Sequence, residues 1–140
     1  MDAEWLAWHL RGKTGMNVAP RPMRTLELFA GAGGGVYASL LMGLRPGAYV
    51  ERDHYRVAVL RQRILDGVFV DAPIWDDVNT FDGHPWRGVV DCVAGGVPCT
   101  PFSYAGKQLG NTDERDCWPA TLRIVEEVAT EWCYFENVPP

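Results

Sequence analysis

The sequence predicts an α/β fold in which a parallel sheet carries helices on both faces. Three observations point to it. From residue 24 onward, short apolar segments alternate with helical segments of about ten residues, the pattern of βαβ units. The strand segments are too apolar to leave one face in water, as expected for a parallel sheet covered on both sides. The residues with evident chemistry fall directly after strands, where open parallel sheets place their ligands.

In chain order, residues 25–29 form the first strand and residues 34–42 a helix ending near Gly43. Residues 48–51 are a second strand, and residues 54–65 a second helix closed by Asp66 and Gly67. Residues 68–70 supply a third strand, residues 89–94 a fourth, and residues 95–116 a long loop. Residues 118–129 form a helix whose apolar positions include Leu122, Val125 and Val128, and residues 132–135 a fifth strand. Ahead of this series, residues 1–23 read as an N-terminal extension. Residues 5–10 allow a short amphipathic turn, but Gly12, Gly15, Pro20 and Pro22 forbid a continuous helix. One domain over residues 24–140 suits the chain's length.

Composition narrows the function classes. At 47% hydrophobic and 22% charged, the chain is of ordinary globular type. No apolar run approaches the ~20 residues a membrane span needs, so no membrane partner is expected. The acidic start lacks a signal-type apolar stretch, which makes a cytoplasmic location the default. A net charge of −5 argues against strong nucleic-acid binding by this chain alone, because phosphate neutralisation drives such binding. Arg11, Lys13, Arg21 and Arg24 cluster in sequence and read as a solvated surface. Four cysteines and three histidines show no metal-ligand spacing, so no metal is expected. Cys92 and Cys133 lie in strand segments and read as buried small hydrophobes. Cys99 differs, because it follows a proline in a loop.

Residues 26–35 (LELFAGAGGG) read as a strand, a glycine turn and a helix start. Glycines permit positive φ and let a ligand approach the main chain. The spacing is not the G-x-G-x-x-G of a dinucleotide fingerprint, and Phe29 at the strand end suits an adenine face. Glu51, about 20 residues past the turn, can accept the ribose hydroxyls of an adenosine. Asp77 can accept from an adenine amino group, with Asp76 competing for that role. Residues 95–103 (GGVPCTPFS) then present Cys99 on a proline-flanked loop at the top of the sheet. A thiol near pKa 8.5 needs an electropositive setting to act as a nucleophile. Glu136, at the end of the fifth strand, puts an acid on the same rim.

The segments LELFAGAGGG, YVERD, GGVPCTPFSYAGKQLGNTDERDCW and ENVPP resemble motifs I, II, IV–V and VI of the DNA cytosine-5 methyltransferases, in that family's order. The resemblance covers residues 24–140. It implies a Rossmann-like S-adenosylmethionine-dependent methyltransferase fold with strand order 3-2-1-4-5. It also implies that Phe29, Gly31 and Gly33 line the cofactor, Glu51 holds its ribose and Asp77 its adenine, with Pro98 and Trp118 completing the wall. Cys99 would add to carbon 6 of cytosine, and Glu136 would hold N3 and the amino group. The base must leave the stack to be reached. Ser103, Lys107 and Arg115 either touch phosphates or brace the loop.

Two departures stand out. Thr100 occupies a position where the family most often has glutamine, which changes the loop without removing a reacting group. Ser103 stands where the RNA-directed relatives tend to have threonine, and so favours DNA. The motifs stop at residue 140, short of the target-recognition region. The resemblance therefore implies a partial catalytic domain, incomplete at its C-terminus: a truncated product, one half of a split enzyme, or a non-catalytic cofactor-binding remnant. Its partners would be double-stranded DNA and a second polypeptide carrying the remaining motifs. The isolated chain is expected to be inactive.

Overall fold

In a computed structural model, which describes residues 21–98 and 116–137, strands and helices alternate from Arg24 onward. The order is β1 (Arg24–Leu28), α1 (Gly34–Leu41), β2 (Arg45–Val50), α2 (His54–Leu65), β3 (Ile74–Trp75), a 3-10 turn (His84–Trp86), β4 (Cys92–Gly96), α3 (Trp118–Val128) and β5 (Trp132–Glu136). The strands form one parallel sheet in the order β3-β2-β1-β4-β5, as the sequence led us to expect. The chain direction therefore reverses its march across the sheet between β1 and β4. The crevice above that point is where such sheets hold ligands.

Local chemistry explains the element ends. Asp53 caps α2 by accepting from the Arg56 amide at 2.9 Å, and Gly67, at φ +73, lets the chain leave the helix. Pro119 sits in the first turn of α3, where its fixed φ suits a helix start and no amide is needed. β2 begins at Arg45, earlier than the sequence suggested. Gly47 bulges between the Pro46 and Ala48 pairings with β1, which lets the proline sit near the start of the strand.

Three expectations need correction. Residues 68–70 are not a strand; the sheet's third strand is Ile74–Trp75. The amides of Val68 and Phe69 close α2 by bonding to the Arg63 carbonyl, which keeps this segment out of the ladder. Residues 89–91 likewise precede β4. The Val89 and Val90 amides bond to Trp86 and the Asp91 amide to Arg24. Finally, Cys133 is exposed rather than buried, because β5 is the edge of the described sheet and four of its five residues are exposed. Cys92, one strand inward, is buried as expected.

Each face of the sheet has its own core. On one face, Leu26, Leu28, Ala48, Val50 and Val93 pack against Ala120, Ile124 and Val128 of α3, with Val78, Phe81 and Val90 filling the side. Full burial of a side chain such as Ile124 contributes about 1.5–3 kcal/mol. Leu122 points away from this core and is exposed, so only part of the apolar stripe read in α3 is the packing face. On the other face, Tyr49 and Ala30 meet Val36, Leu60 and Phe69. Arg21, read as part of a solvated basic cluster, makes a two-pronged ion pair with Asp91 that fastens the approach to β1. Arg11 and Lys13 lie outside the described residues.

Candidate active site

The turn after β1 depends on left-handed backbone. Phe29 holds φ +51, an uncommon value for a residue with a side chain, and Gly31 and Gly33 follow at +59 and +97. At Gly33 a Cβ would lie 2.3 Å from the Phe69 ring, so glycine is needed for space as well as for φ. The Gly33 carbonyl then accepts from the Tyr37 amide and opens α1. On the neighbouring strand, a Cβ on Gly95 would stand 2.4 Å from the Leu28 carbonyl oxygen. The floor of the crevice is thus bare main chain brought close together.

A cleft of about 220 Å³ opens at this floor. Phe29, Gly31, Gly95, Tyr134 and Glu136 line it, together with the buried carboxylate of Glu27. Two of the expected cofactor contacts and the expected catalytic acid therefore share one cavity. Tyr134 is braced by a 2.9 Å hydrogen bond with Ser39 of α1. Its phenol is pushed up by burial, and the Glu27 charge adds to that effect.

Glu51, 6% exposed, holds the glycine turn directly. One carboxylate oxygen accepts from the Gly31 amide at 2.7 Å and the other from the Asp53 amide at 2.8 Å. Each oxygen keeps a further lone pair, so the group can serve the turn and a ligand hydroxyl together. Asp77 follows β3 and uses Oδ1 for both the amide and the side-chain nitrogen of Asn79, at 2.8 and 2.9 Å. Its Oδ2 has no protein donor among the described residues. Asp76 is exposed at the rim. Trp118 is half-buried, edge-on to Phe135 with ring centres 5.8 Å apart, and Pro98 is exposed just past β4. Gly33, Glu51, Asp77, Pro98 and Trp118 do not line the 220 Å³ cavity itself. Burial raises the Cys117 thiol, with help from the Asp116 and Asp77 charges.

Cys99, Thr100, Ser103, Lys107 and Arg115 lie outside the described residues. Among the described cysteines, Cys92 is pushed up to about 11, first by burial and then by the Glu27 charge, so it stays a thiol near neutral pH. Glu27, Tyr134 and Gly95 were not singled out individually from the sequence. The signal available for Glu27 was a carboxylate at the centre of an apolar strand, which is rare without a purpose.

The residues present suit an adenosyl sulfonium ligand: a glycine floor, a carboxylate with spare lone pairs, a second with one oxygen that meets no protein donor among the described residues, and a buried carboxyl group beside the cleft. Comparison with known proteins agrees. The family model for C-5 cytosine-specific DNA methylases matches residues 23–140. The chain is 39% identical over 114 residues to the Type II methyltransferase M.NgoMIV of Neisseria gonorrhoeae, covering 81% of this chain and 35% of that one. It is 42% identical to the Type II methyltransferase M.Eco47II of Escherichia coli, covering 81% of this chain and 26% of that one. It thus spans about a third, or less, of the length of these relatives. Among solved structures, a mutant of Spodoptera frugiperda DNMT2 superposes with a TM-score of 0.62 at 22% identity, covering 83% of this chain and 35% of that one. The S. pombe Dnmt2 methyltransferase gives 0.58 at 20%, covering 83% and 36%. The fold is thus that of the S-adenosylmethionine-dependent methyltransferases, and the chain belongs to the C-5 cytosine-specific DNA methylase family.

Proposed function

We propose that this chain supplies the cofactor-binding and nucleophile-bearing part of a DNA cytosine-5 methyltransferase. The observation that carries this reading is the shared cleft, with the Phe29–Gly31 turn and Glu136 around one cavity at the carboxyl ends of β1, β4 and β5. S-adenosylmethionine, when bound, supplies an electrophilic methyl group. Phe29, Gly31 and Gly33 frame its site, Glu51 accepts from the ribose hydroxyls, Asp77 accepts from the adenine amino group, and Pro98 and Trp118 close the wall.

Carbon 5 of cytosine is a weak nucleophile. The Cys99 thiolate adds to carbon 6, and Glu136 shares a proton with N3, so that carbon 5 gains enamine character. Carbon 5 would take the methyl group as its bond to the sulfonium sulfur breaks, the electron pair staying on sulfur as a neutral thioether, and carbon 5 would then lose its proton to a base. Cys99 is then expelled, the 5,6 double bond re-forms, and the N3 proton returns to Glu136. Ser103, Lys107 and Arg115 brace the loop that bears Cys99 or contact phosphates.

On this reading the 140-residue chain alone does not turn over. Its net charge of −5 gives it few phosphate contacts, and the exposed β5 edge favours pairing with a second polypeptide. The test is covalent trapping on duplex DNA containing 5-fluorocytosine, with a second polypeptide that continues the sheet beyond β5. Fluorine cannot leave carbon 5 as a proton does, so the adduct persists. Trapping by the natural chain and none by Cys99→Ser is the expected pair of results. An adduct that survives Cys99→Ser would contradict the mechanism.

A further inference from the structure

The clamp that α3 places on the turn after β3 is not accounted for by the site residues. Arg123 reaches out of α3 and donates to three main-chain carbonyls: Val78 at 3.0 Å, Phe81 at 3.0 Å and Asn79 at 3.4 Å. Glu127, one turn on, holds the guanidinium at 2.6 Å and also accepts from the Gly83 amide at 2.8 Å. Burial alone would raise the Glu127 carboxyl, but the Gly83 amide and Arg123 outweigh it and hold it below its ordinary value. One guanidinium nitrogen thus bridges Glu127 and the Phe81 carbonyl, while the other takes the carbonyls of Val78 and Asn79. A surface salt bridge with one partner needs no such arrangement.

The gripped loop is the one that carries Asp77. Its carbonyl accepts from the Thr80 and Phe81 amides, and its Oδ1 is taken by Asn79, whose own carbonyl Arg123 holds. One carboxylate oxygen is therefore locked, and Oδ2 has no protein donor among the described residues. We propose that Arg123 is a positioning residue for adenine recognition: through the carbonyls of Val78, Asn79 and Phe81 it fixes the direction in which Asp77 presents Oδ2 to the adenine 6-amino group. The proposal rests on the reading of Asp77 given above. A carboxylate on a loose loop would tolerate a hydrogen-bond acceptor at position 6 by turning away. One held in place rejects it, because two acceptors would then face each other.

The experiment compares the affinity of the chain for S-adenosylhomocysteine with that for its inosine analogue, which carries an oxygen in place of the 6-amino group. The natural chain should prefer the adenine compound roughly tenfold or more, the usual weight of a hydrogen bond to a charged group. Arg123→Met should lose most of that preference while the affinity for the inosine compound stays nearly the same. Asp77→Ala should lose the preference too, and the double variant should lose no more than either single one. Arg123→Lys keeps the charge beside Glu127 but can reach only one carbonyl. It should show a partial loss, and it carries the test if Arg123→Met does not fold. A preference altered by Asp77→Ala but unchanged in both Arg123 variants would overturn the positioning role. So would an equal weakening of both compounds, which is the mark of general destabilisation. A preference unchanged by Asp77→Ala would overturn the assignment of Asp77 itself.

Discussion

The strands β1 and β5 resemble each other in length and in their mixture of apolar and acidic residues, yet they live in different surroundings. In β1 all residues after Arg24 are buried, the carboxylate of Glu27 included, whereas in β5 none is fully buried and only Phe135 and Tyr134 are largely covered. The difference is position. β1 has β2 and β4 as neighbours and a core on each face; among the described residues β5 has one neighbouring strand and less cover on its faces. The Phe29–Gly31 end of the cleft therefore stands on the most buried part of the sheet, and the Glu136 end on the most exposed.

This contrast predicts very unequal mutational costs. Leu28→Ala should lose about 2–5 kcal/mol, since its side chain is 1% exposed, while Cys133→Ala should change stability by no more than ~0.5 kcal/mol. Urea midpoints of the two variants measure this. Similar losses at both sites would mean that β5 is covered in solution. Next in size, Gly33→Ala should cost about 1–3 kcal/mol, through the strained φ and the Phe69 contact. Phe69→Leu in the same chain should recover part of it, because the clash is with the ring edge. Thermal melts of the single and double variants give the coupling.

A smaller effect separates the cysteines. Cys92, buried and with its thiol pushed up to about 11, should resist alkylation at pH 7.5 in the folded chain, whereas exposed Cys133 should be labelled readily. Mass spectrometry of digested, briefly labelled protein distinguishes them. The smallest effect lies at the Arg123 clamp. The Glu127 carboxyl sits below its ordinary 4.5, so its contribution is fully present above that pH and is lost as pH falls through its folded value. The stability gap between the natural chain and Glu127→Gln should therefore narrow on acidification below pH 4.5.

Much of this was legible in the sequence, for identifiable reasons. Apolar runs broken by turn residues gave the alternation of strands and helices, and the motif order gave the strand order. The span of α2 agreed at both ends, because Asp53 and Gly67 punctuate it. Other features were not legible because they depend on contacts distant in sequence. Phe69 reads as part of a β segment, but it is needed as a lid over Gly33, 36 residues earlier. The exposure of Cys133 follows from β5 being an edge, which local sequence does not encode. Arg123 looks like any helix-surface cation, and its role appears only when the carbonyls of Val78, Asn79 and Phe81 are brought to it.

The central proposal is that Glu51, which holds the glycine turn at the carboxyl ends of β1 and β2, also holds S-adenosylmethionine. Titration calorimetry of the folded chain with that compound tests it most directly, using Glu51→Gln and Glu51→Ala beside the natural sequence. Glu51→Ala should weaken binding by about 1–3 kcal/mol, the cost of removing a charged hydrogen-bond partner, with Glu51→Gln between the two. Circular dichroism at the same temperature verifies that each variant remains folded. Affinity unchanged in Glu51→Ala would contradict the account, because no other described carboxylate also holds the glycine turn.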